Sequence, residues 1–540
     1  MDNRPILKKR TFLYLTEFFS GVAVMAVELG ASRLLAPYFS SSQIVWTIII
    51  GTIMIAMALG NIYGGREADK HPNPDRLYRR ILIAAIWIAL IPVVGKYVIL
   101  AVSALLIFTV STNFHIAAAF AACMIIFVFP LFLLGTVTPS LVKYTTKSLE
   151  DNGRIVGNME AFNTVGSILG TFLPTFVTIP AVGTSVTFLI FAGILLALAL
   201  VYFLSGRTHL RTCAAAVAAV VLCAVFGHTD SFAFWESDLL YEGESVYNYL
   251  QVKETDRSVI LSTNVLFGVQ SVKQKGGGLT GMYYDTALAA PLMADIQKKP
   301  QFDILILGMG SGTYATQCGE FFPSSPDRNL SVEGVEIDRS ITDLARTYFD
   351  LPEDVAVATY DGRAYLQAVD KQYDVILVDA YQDITIPFQM STAEFFTLVR
   401  DHLKEDGVMA VNMNMHSDGA DSINAHLADT IASAFSHVYT ADVPHTTNRE
   451  LFAWNCSDVL ETFSANTDTV ESPELRRLME TVLEDRLVPY QAGDLLLTDD
   501  CAPVELLGIH VIDTLIQNEV AAYREVYEQE GVQGLMDRLL

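Results

Sequence analysis

The chain predicts two architectures in series: a multi-span α-helical membrane domain, then a parallel α/β sheet of the nucleoside-binding kind, introduced by a small antiparallel β-domain. Three observations carry this prediction. Residues 1–227 are mostly apolar, in stretches long enough to cross lipid. Composition then changes sharply near residue 228. Finally, residues 303–379 run DILILGMGSGTYA, VEGVEID, DGRAYL and YDVILVDAY, a buried strand opening into a glycine loop followed by elements that end on acids. At 540 residues the chain exceeds one ordinary domain. The expected boundaries are 1–227 for the membrane domain, 228–290 for the β-domain and 291–540 for the α/β domain.

In the first domain a hydrocarbon core of about 30 Å calls for about 20 apolar residues per helix. Residues 12–32, 43–64, 113–137, 157–180 and 184–204 meet this, 81–111 holds at least one further span around Pro92, Gly95 and Lys96, and 212–227 is a short Ala/Val-rich segment. Six to eight spans are expected. The first is too long for a removable signal peptide and lacks a small-residue cleavage site, so it stays as an anchor. Lys8, Lys9 and Arg10 precede it, and Arg66, Lys70, Arg76, Arg79 and Arg80 follow the second, which puts the N-terminus on the cytoplasmic side of the plasma membrane. The side of the soluble half depends on whether 212–227 crosses. Glu28 and Arg33 are the intramembrane polar candidates, either as a functional pair or as groups at the far interface. Gly166 and Gly170 form a small-xxx-small pattern for close helix contact.

Charge separates the halves. Residues 1–227 hold 16 Lys+Arg against 9 Asp+Glu, net +7, and the remainder holds 19 against 51, net −32. Nucleic acid is excluded as a partner, because phosphate backbones demand a basic face. The six cysteines show no CxxC and no Cys/His spacing suited to zinc, so no metal is expected.

Residues 237–275 alternate short β-type runs and end on Gly276-Gly277-Gly278. From 303 strands are expected near 303–308, 331–337, 355–360, 373–379 and 407–413, with helices between them. Such alternation implies a parallel sheet covered on both faces. Runs at 437–442 and 450–455 complete a sheet of about seven strands, and 511–540 reads as an amphipathic helix.

Ligands of such a sheet bind at the carboxyl ends of the strands, beside the point where strand order reverses. Gly308, Gly310, Ser311 and Gly312 line the first loop, where glycine permits a tight turn and close backbone approach. The GxGxG spacing resembles S-adenosyl-type sites more than dinucleotide sites. Glu336, ending the second strand, can accept both ribose hydroxyls, although an ordinary strand-end acid looks the same. Asp361 with Gly362 can meet the adenine edge, or simply make a turn. Asp379 ends the apolar run VILVDAY and can serve as general base or hold a cationic amine, the alternative being a loop cap. Gln382 and Asp383 share its loop, and His416 is a weaker base candidate.

With these residues in place the chain resembles the spermidine synthase (polyamine aminopropyltransferase) family, in its membrane-fused branch. SVYNYLQV (245–252), LFGVQS (266–271), YYDTAL (283–288) and LTDDCAPVE (497–505) carry the resemblance beyond the four loops. ELGASRLLAPYF, GNIYGGREAD and FPLFLLGTVTPSLV resemble the fused membrane segment. The resemblance implies a small β-domain followed by a Rossmann-like, class I methyltransferase-type domain. It also implies transfer of an aminopropyl group from decarboxylated S-adenosylmethionine to a polyamine such as putrescine. Under it Glu336 binds ribose, Asp361 and Gly362 bind adenine, and Asp379 accepts the proton of the attacking amine. Tyr284 and Asp285 fall on the substrate side with Gln382 and Asp383, and Asn248 takes a position where the family commonly uses Gln. A homo-oligomer fits the family.

Departures accompany the matches. The family's glycine loop usually carries an Asp that grips the aminopropyl ammonium, and Ser311 stands there instead. A hydroxyl cannot make the charge-assisted bond of a carboxylate. The second Asp of the loop after Asp379 is displaced by one position to Asp383. Two other functions therefore stay open: a methyltransferase using ordinary S-adenosylmethionine, and a transporter or sensor that binds a nucleoside or polyamine without turnover.

Overall fold

The computed structural model describes residues 6–7, 9–39, 42–106, 114–146, 152–229, 231–236, 238–265, 269–380, 386–414, 419, 421–508, 511, 529 and 531. By compactness it forms two units: Met1–Trp235 with Glu242–Tyr249, and Glu236–Tyr241 with Leu250–Leu540.

The first unit is helical. Its helices are α1 (Arg10–Phe39), α2 (Gln43–Lys70), α3 (Pro74–Leu106), α4 (Phe114–Ile126), α5 (Val128–Gly135), α6 (Val137–Thr145), α7 (Asn152–Leu173), α8 (Ile179–Ser205) and α9 (Leu210–Phe226). Among the described residues five helical stretches are long and apolar enough to cross a membrane: 10–39, 43–70, 74–106, 128–145 and 152–205. At 54 residues the last is longer than one crossing needs. Gly183, at φ 80°, breaks its helical geometry. Pro92, by contrast, lies inside an unbroken α3.

The two glycines of GSILG do bring helices together. A Cβ on Gly166 would lie 2.1 Å from the carbonyl oxygen of Phe18, and one on Gly170 2.3 Å from that of Val22, so α7 meets α1 backbone to backbone. Of the polar candidates Glu28 and Arg33, Arg33 sends Nη1 to the Ser245 carbonyl at 3.1 Å and Nη2 to that of Val246. A buried polar cluster forms about three helical turns from Glu28, at Glu17, whose Oε1 accepts from Thr138 Oγ1 at 2.5 Å and Asn163 Nδ2 at 2.7 Å.

The second unit is built on a large sheet and most of a smaller one, of which residues 242–244 and 249 are counted with the first unit. The smaller is a four-stranded meander of β1 (Leu239–Glu244), β2 (Tyr249–Glu254), β3 (Ser258–Ser262) and β4 (Ser271–Gln274), with β2/β3 and β3/β4 antiparallel. Leu250, Val252, Val259 and Leu261 alternate inward to meet Ile341, Leu344 and Phe349.

The larger sheet contains β5 (Gln301–Leu307), β6 (Asn329–Glu336), β7 (Ala356–Thr359), β8 (Tyr373–Val378), β9 (Leu403–Met413), β10 (His437–Asp442), β11 (Arg449–Trp454) and β12 (Val488–Pro489), in the order β12-β10-β11-β9-β8-β5-β6-β7. From β7 to β9 neighbours are parallel, as the alternating pattern predicts. β11 and β10 run antiparallel because only six residues join them, too few for a crossover.

All six residues of β8 are buried. Val375 and Leu377 face one core, with Tyr283, Tyr314 and Phe463, while Ile376 and Val378 face the other, with Phe395, Phe396 and Leu427. Each such side chain contributes roughly 1.5–3 kcal/mol on burial. At the amino ends of the strands Asp374, fully buried, accepts from Lys299 Nζ at 2.8 Å, Lys404 Nζ at 2.6 Å and the Asp303 N–H at 2.8 Å. Only residues 511, 529 and 531 of the expected terminal helix are among those described.

Candidate active site

The order β9-β8-β5-β6 reverses direction between β8 and β5, so the loops after these two strands diverge and leave a crevice at their carboxyl ends. After β5 the chain turns through Gly308, Gly310 and Gly312, at φ of 85°, 57° and 83°, before α10 of this unit, Thr313–Phe321. A Cβ on Gly308 would sit 2.6 Å from both the Ala380 Cα and the Asp379 carbonyl oxygen. Glycine is required there so that the first loop can lie against the backbone leaving β8.

Glu336 closes β6 and is only 6% exposed. Its Oε2 accepts from the Gly310 N–H and its Oε1 from the Asp338 N–H, each at 3.0 Å. Burial pushes its carboxyl up to about 7, against the pull of those two donors. Each oxygen keeps a lone pair for a ligand hydroxyl. The Ser311 N–H donates to Ser271 Oγ at 3.0 Å, and Ser311 Oγ is buried with no hydrogen-bond partner among the described residues. Asp361 caps the helix Gly362–Ala368, with Oδ1 accepting from the Ala364 N–H at 2.9 Å. Next to it Arg363 grips Asp499 of the LTDD segment through two bonds of 2.7 and 2.6 Å.

Asp379, also 6% exposed, stands at the carboxyl end of β8. Tyr283 donates its hydroxyl to Oδ2 at 2.8 Å and Asn412 donates Nδ2 to Oδ1 at 2.9 Å. Asn448 Nδ2 in turn donates to Asn412 Oδ1 at 2.8 Å, which fixes the amide orientation. Burial raises the Asp379 carboxyl to about 7, the two donors pull it back and the Glu336 charge adds to the rise. A carboxyl balanced near neutrality, with two aligned donors, can take a proton from an amine in the crevice.

Residues 289–464 match the spermine/spermidine synthase domain. A probable polyamine aminopropyl transferase of Bifidobacterium longum is 50% identical over 353 residues, covering 62% of this chain and 77% of its own length. The chain belongs to the polyamine aminopropyltransferase family. The polyamine aminopropyltransferase of Vibrio vulnificus is 27% identical over 220 residues, 39% of this chain and 70% of its own. The solved spermidine synthase of Thermotoga maritima overlaps 45% of this chain and 84% of its own at 18% identity and a TM-score of 0.36, so membership rests on sequence.

Gly308, Gly310, Ser311, Gly312, Glu336, Asp361, Gly362 and Asp379 gather at one edge of the sheet. The Tyr284 hydroxyl donates to the Gln270 carbonyl at 2.6 Å, and the neighbouring Tyr283 makes the contact with Asp379. Two consecutive tyrosines differ by the rotation of a helical step, which the sequence alone does not phase. Asp285 accepts from the Thr280 N–H, the Gly281 N–H and Gln317 Nε2 at 2.9, 2.6 and 2.7 Å, which organises the 280–281 turn. Asn248 lies in a turn of the first unit, its N–H donating to Ser245 Oγ at 2.9 Å. Gln382, Asp383 and His416 lie outside the described residues. Tyr283, Asn412 and Asn448 were missed. The available signal was an asparagine at the carboxyl end of an otherwise apolar strand, beside the strand that ends on Asp379.

Proposed function

We propose that this chain is a membrane-anchored aminopropyltransferase that moves the aminopropyl group of decarboxylated S-adenosylmethionine onto a polyamine such as putrescine and releases methylthioadenosine. The observation that carries the reading is Asp379, buried between the Tyr283 hydroxyl and the Asn412 amide at the edge of the crevice. The donor fits the residues present: Glu336 has acceptor capacity for ribose hydroxyls, Gly310 leaves room for close approach, and Ser311 Oγ awaits a partner. When bound, the donor supplies an electrophilic carbon next to a sulfonium. Asp379 takes a proton from the acceptor ammonium, which frees the nitrogen lone pair to form the N–C bond as the C–S bond would break and methylthioadenosine would leave, and Tyr283 and Asn412 hold the carboxylate in place and stabilise its charge.

Ser311 favours a second reading. Its hydroxyl can donate to the carboxylate of ordinary S-adenosylmethionine, which an Asp at this place would repel, so a methyltransferase is the alternative. Detergent-purified full-length protein is incubated with putrescine and either donor, and products are identified by mass spectrometry. Spermidine from the decarboxylated donor, lost in Asp379→Asn, supports the first reading. Methylated amine from the ordinary donor replaces it with the second. Binding of methylthioadenosine without product from any amine reduces the site to a binding function.

The apolar helices support a multi-pass protein of the plasma membrane, and the basic residues at 8–10 support a cytoplasmic N-terminus. Cofactor supply supports a cytoplasmic soluble unit. Protease treatment of intact cells tests this: cleavage of the 250–540 region from outside overturns it.

A further inference from the structure

Asp361, the acid expected at the adenine edge, stands on the most weakly anchored wall of the crevice. Glu336 and Asp379 follow from well-buried strands: the last three residues of β6 are buried, and so are all six of β8. β7, which leads to Asp361, has exposed ends and a half-buried middle. The helix Gly362–Ala368 that comes next is described throughout, and of its residues Leu366 alone is buried. Seven residues are too few for a helix to hold itself. Asp361 Oδ1 is already spent on the Ala364 N–H at 2.9 Å, which leaves Oδ2 as the acceptor for a ligand.

What holds this wall comes from far along the chain. Arg363 reaches Asp499, 136 residues on, with Nη1 donating to Oδ1 at 2.7 Å and Nη2 to Oδ2 at 2.6 Å. Nη1 also donates to the Gln389 carbonyl at 3.0 Å. The next residue, Met390, supplies the surface on which Gly362 lies: a Cβ on Gly362 would sit 3.0 Å from Met390 Cε and 3.6 Å from Leu307 Cβ. Asp499 is fixed in turn. Its Oδ1 accepts from Thr392 Oγ1 at 2.7 Å and its N–H donates to Glu394 Oε2 at 3.1 Å, both residues at the start of the helix Ala393–Asp401. The Ala393 N–H donates to the Leu497 carbonyl at 2.9 Å, so the LTDD segment lies across that helix start, where the helix dipole favours a carboxylate. Tyr365 adds a bond to Glu333 at 3.2 Å. Isolated surface ion pairs contribute little, but a bidentate fork inside a network fixes a position.

We infer that Arg363 and Asp499 are positioning residues: they hold Asp361 where its Oδ2 meets the exocyclic amine of the donor's adenine, and so set the selectivity for the nucleobase. An exocyclic amine donates to the carboxylate, whereas an oxo group at the same place presents lone pairs and is repelled. Discrimination of this kind needs the acceptor within about 0.5 Å of its place, which the wall's own burial does not secure. The LTDD segment thereby acquires a role in recognition, exerted through Asp361 and not on the ribose that Glu336 serves. The inference rests on the adenosyl reading of the site and is independent of which group is transferred.

The test is calorimetric titration of the full-length protein in detergent with methylthioadenosine and with its 6-oxo counterpart, methylthioinosine. Wild type prefers the adenine form about tenfold or more. Arg363→Gln and Asp499→Asn each weaken methylthioadenosine binding about tenfold and change methylthioinosine binding by no more than about twofold, so the preference collapses. The double variant is no weaker than either single one, because both remove the same fork. Asp499→Glu, which keeps a carboxylate, restores part of the preference. Glu336→Gln is the control and weakens both nucleosides alike. A loss in Arg363→Gln that falls equally on both nucleosides marks general loosening and overturns the inference, as does an unchanged preference, or a wild type that binds both alike or neither. Turnover is read separately: with the decarboxylated donor and putrescine, Arg363→Gln raises the donor KM about tenfold and changes kcat by no more than about threefold. Absence of product from the wild type, together with a preference that the variants lose, ends the transfer reading and sustains this one. If Arg363→Gln fails to fold, Arg363→Lys, which keeps the charge and loses the fork, is read in its place, and an unchanged preference there counts against the inference.

Discussion

Replacing Asp379 by Asn removes a buried charge as well as a base, and the two effects have opposite signs. The carboxyl rises from its ordinary 3.8 to about 7 in the folded chain. Its contribution to stability is therefore fully present below about pH 4 and is lost as pH climbs to about 7. About three units at 1.36 kcal/mol each give roughly 4 kcal/mol of lost stability at pH 8 and less than about 2 at pH 5. Asparagine carries no such penalty but offers a poorer acceptor set to Tyr283 and Asn412, which costs about 1 kcal/mol. The variant should be about 3 kcal/mol more stable than wild type at pH 8 and close to it at pH 5, while product formation falls about 10²–10⁴-fold. Trp454 is the one tryptophan in residues 250–540, so urea titration of detergent-solubilised protein at both pH values reads this unit through the fluorescence change that a Trp454→Phe control removes, Trp46, Trp87 and Trp235 supplying the remainder. A variant less stable than wild type at pH 8, or an offset that is the same at both pH values, would refute the reasoning.

Tyr283→Phe withdraws a donor that holds the Asp379 carboxyl down, so the acid limb of the pH–rate profile should move to higher pH and kcat at pH 7 should fall about tenfold, measured by initial rates. Glu336→Gln should weaken methylthioadenosine binding about 10- to 100-fold by calorimetry, since a neutral amide replaces the charge-assisted acceptor. Gly308→Ala drives a methyl into the Ala380 backbone at a φ that L-residues avoid, and a loss of about 2–5 kcal/mol in the same urea titration is expected.

Much of the fold was legible because its signals are periodic. β8 is apolar at every position, which only a central parallel strand covered on both faces requires, and the glycine loop and strand-end acids mark its carboxyl edge. What escaped was anything set by rotation or by pairing between distant segments. Tyr283 bonds Asp379 and Tyr284 bonds the Gln270 carbonyl, a difference of one helical step. Glu450 becomes a neighbour of Asp379 only through the β9/β11 register, 38 residues of chain after Asn412. The bonds of Asp285 to the 280–281 turn, of a kind that short acidic side chains often make, also left no mark in the pattern. In the helical unit, Glu17 escaped because its partners come from α6 and α7, more than 100 residues on.

Both oxygens of Glu336 already hold backbone N–H groups, one from the glycine loop and one from the turn beyond β6. The same carboxylate that awaits a ligand thus fastens the two walls around it before any ligand arrives. Little loop-ordering entropy then remains to oppose association, and the affinity for the adenosyl group is governed by its contacts alone. Capture should accordingly be a single kinetic step at the rate of encounter, with discrimination among adenosyl compounds residing in how fast each one leaves.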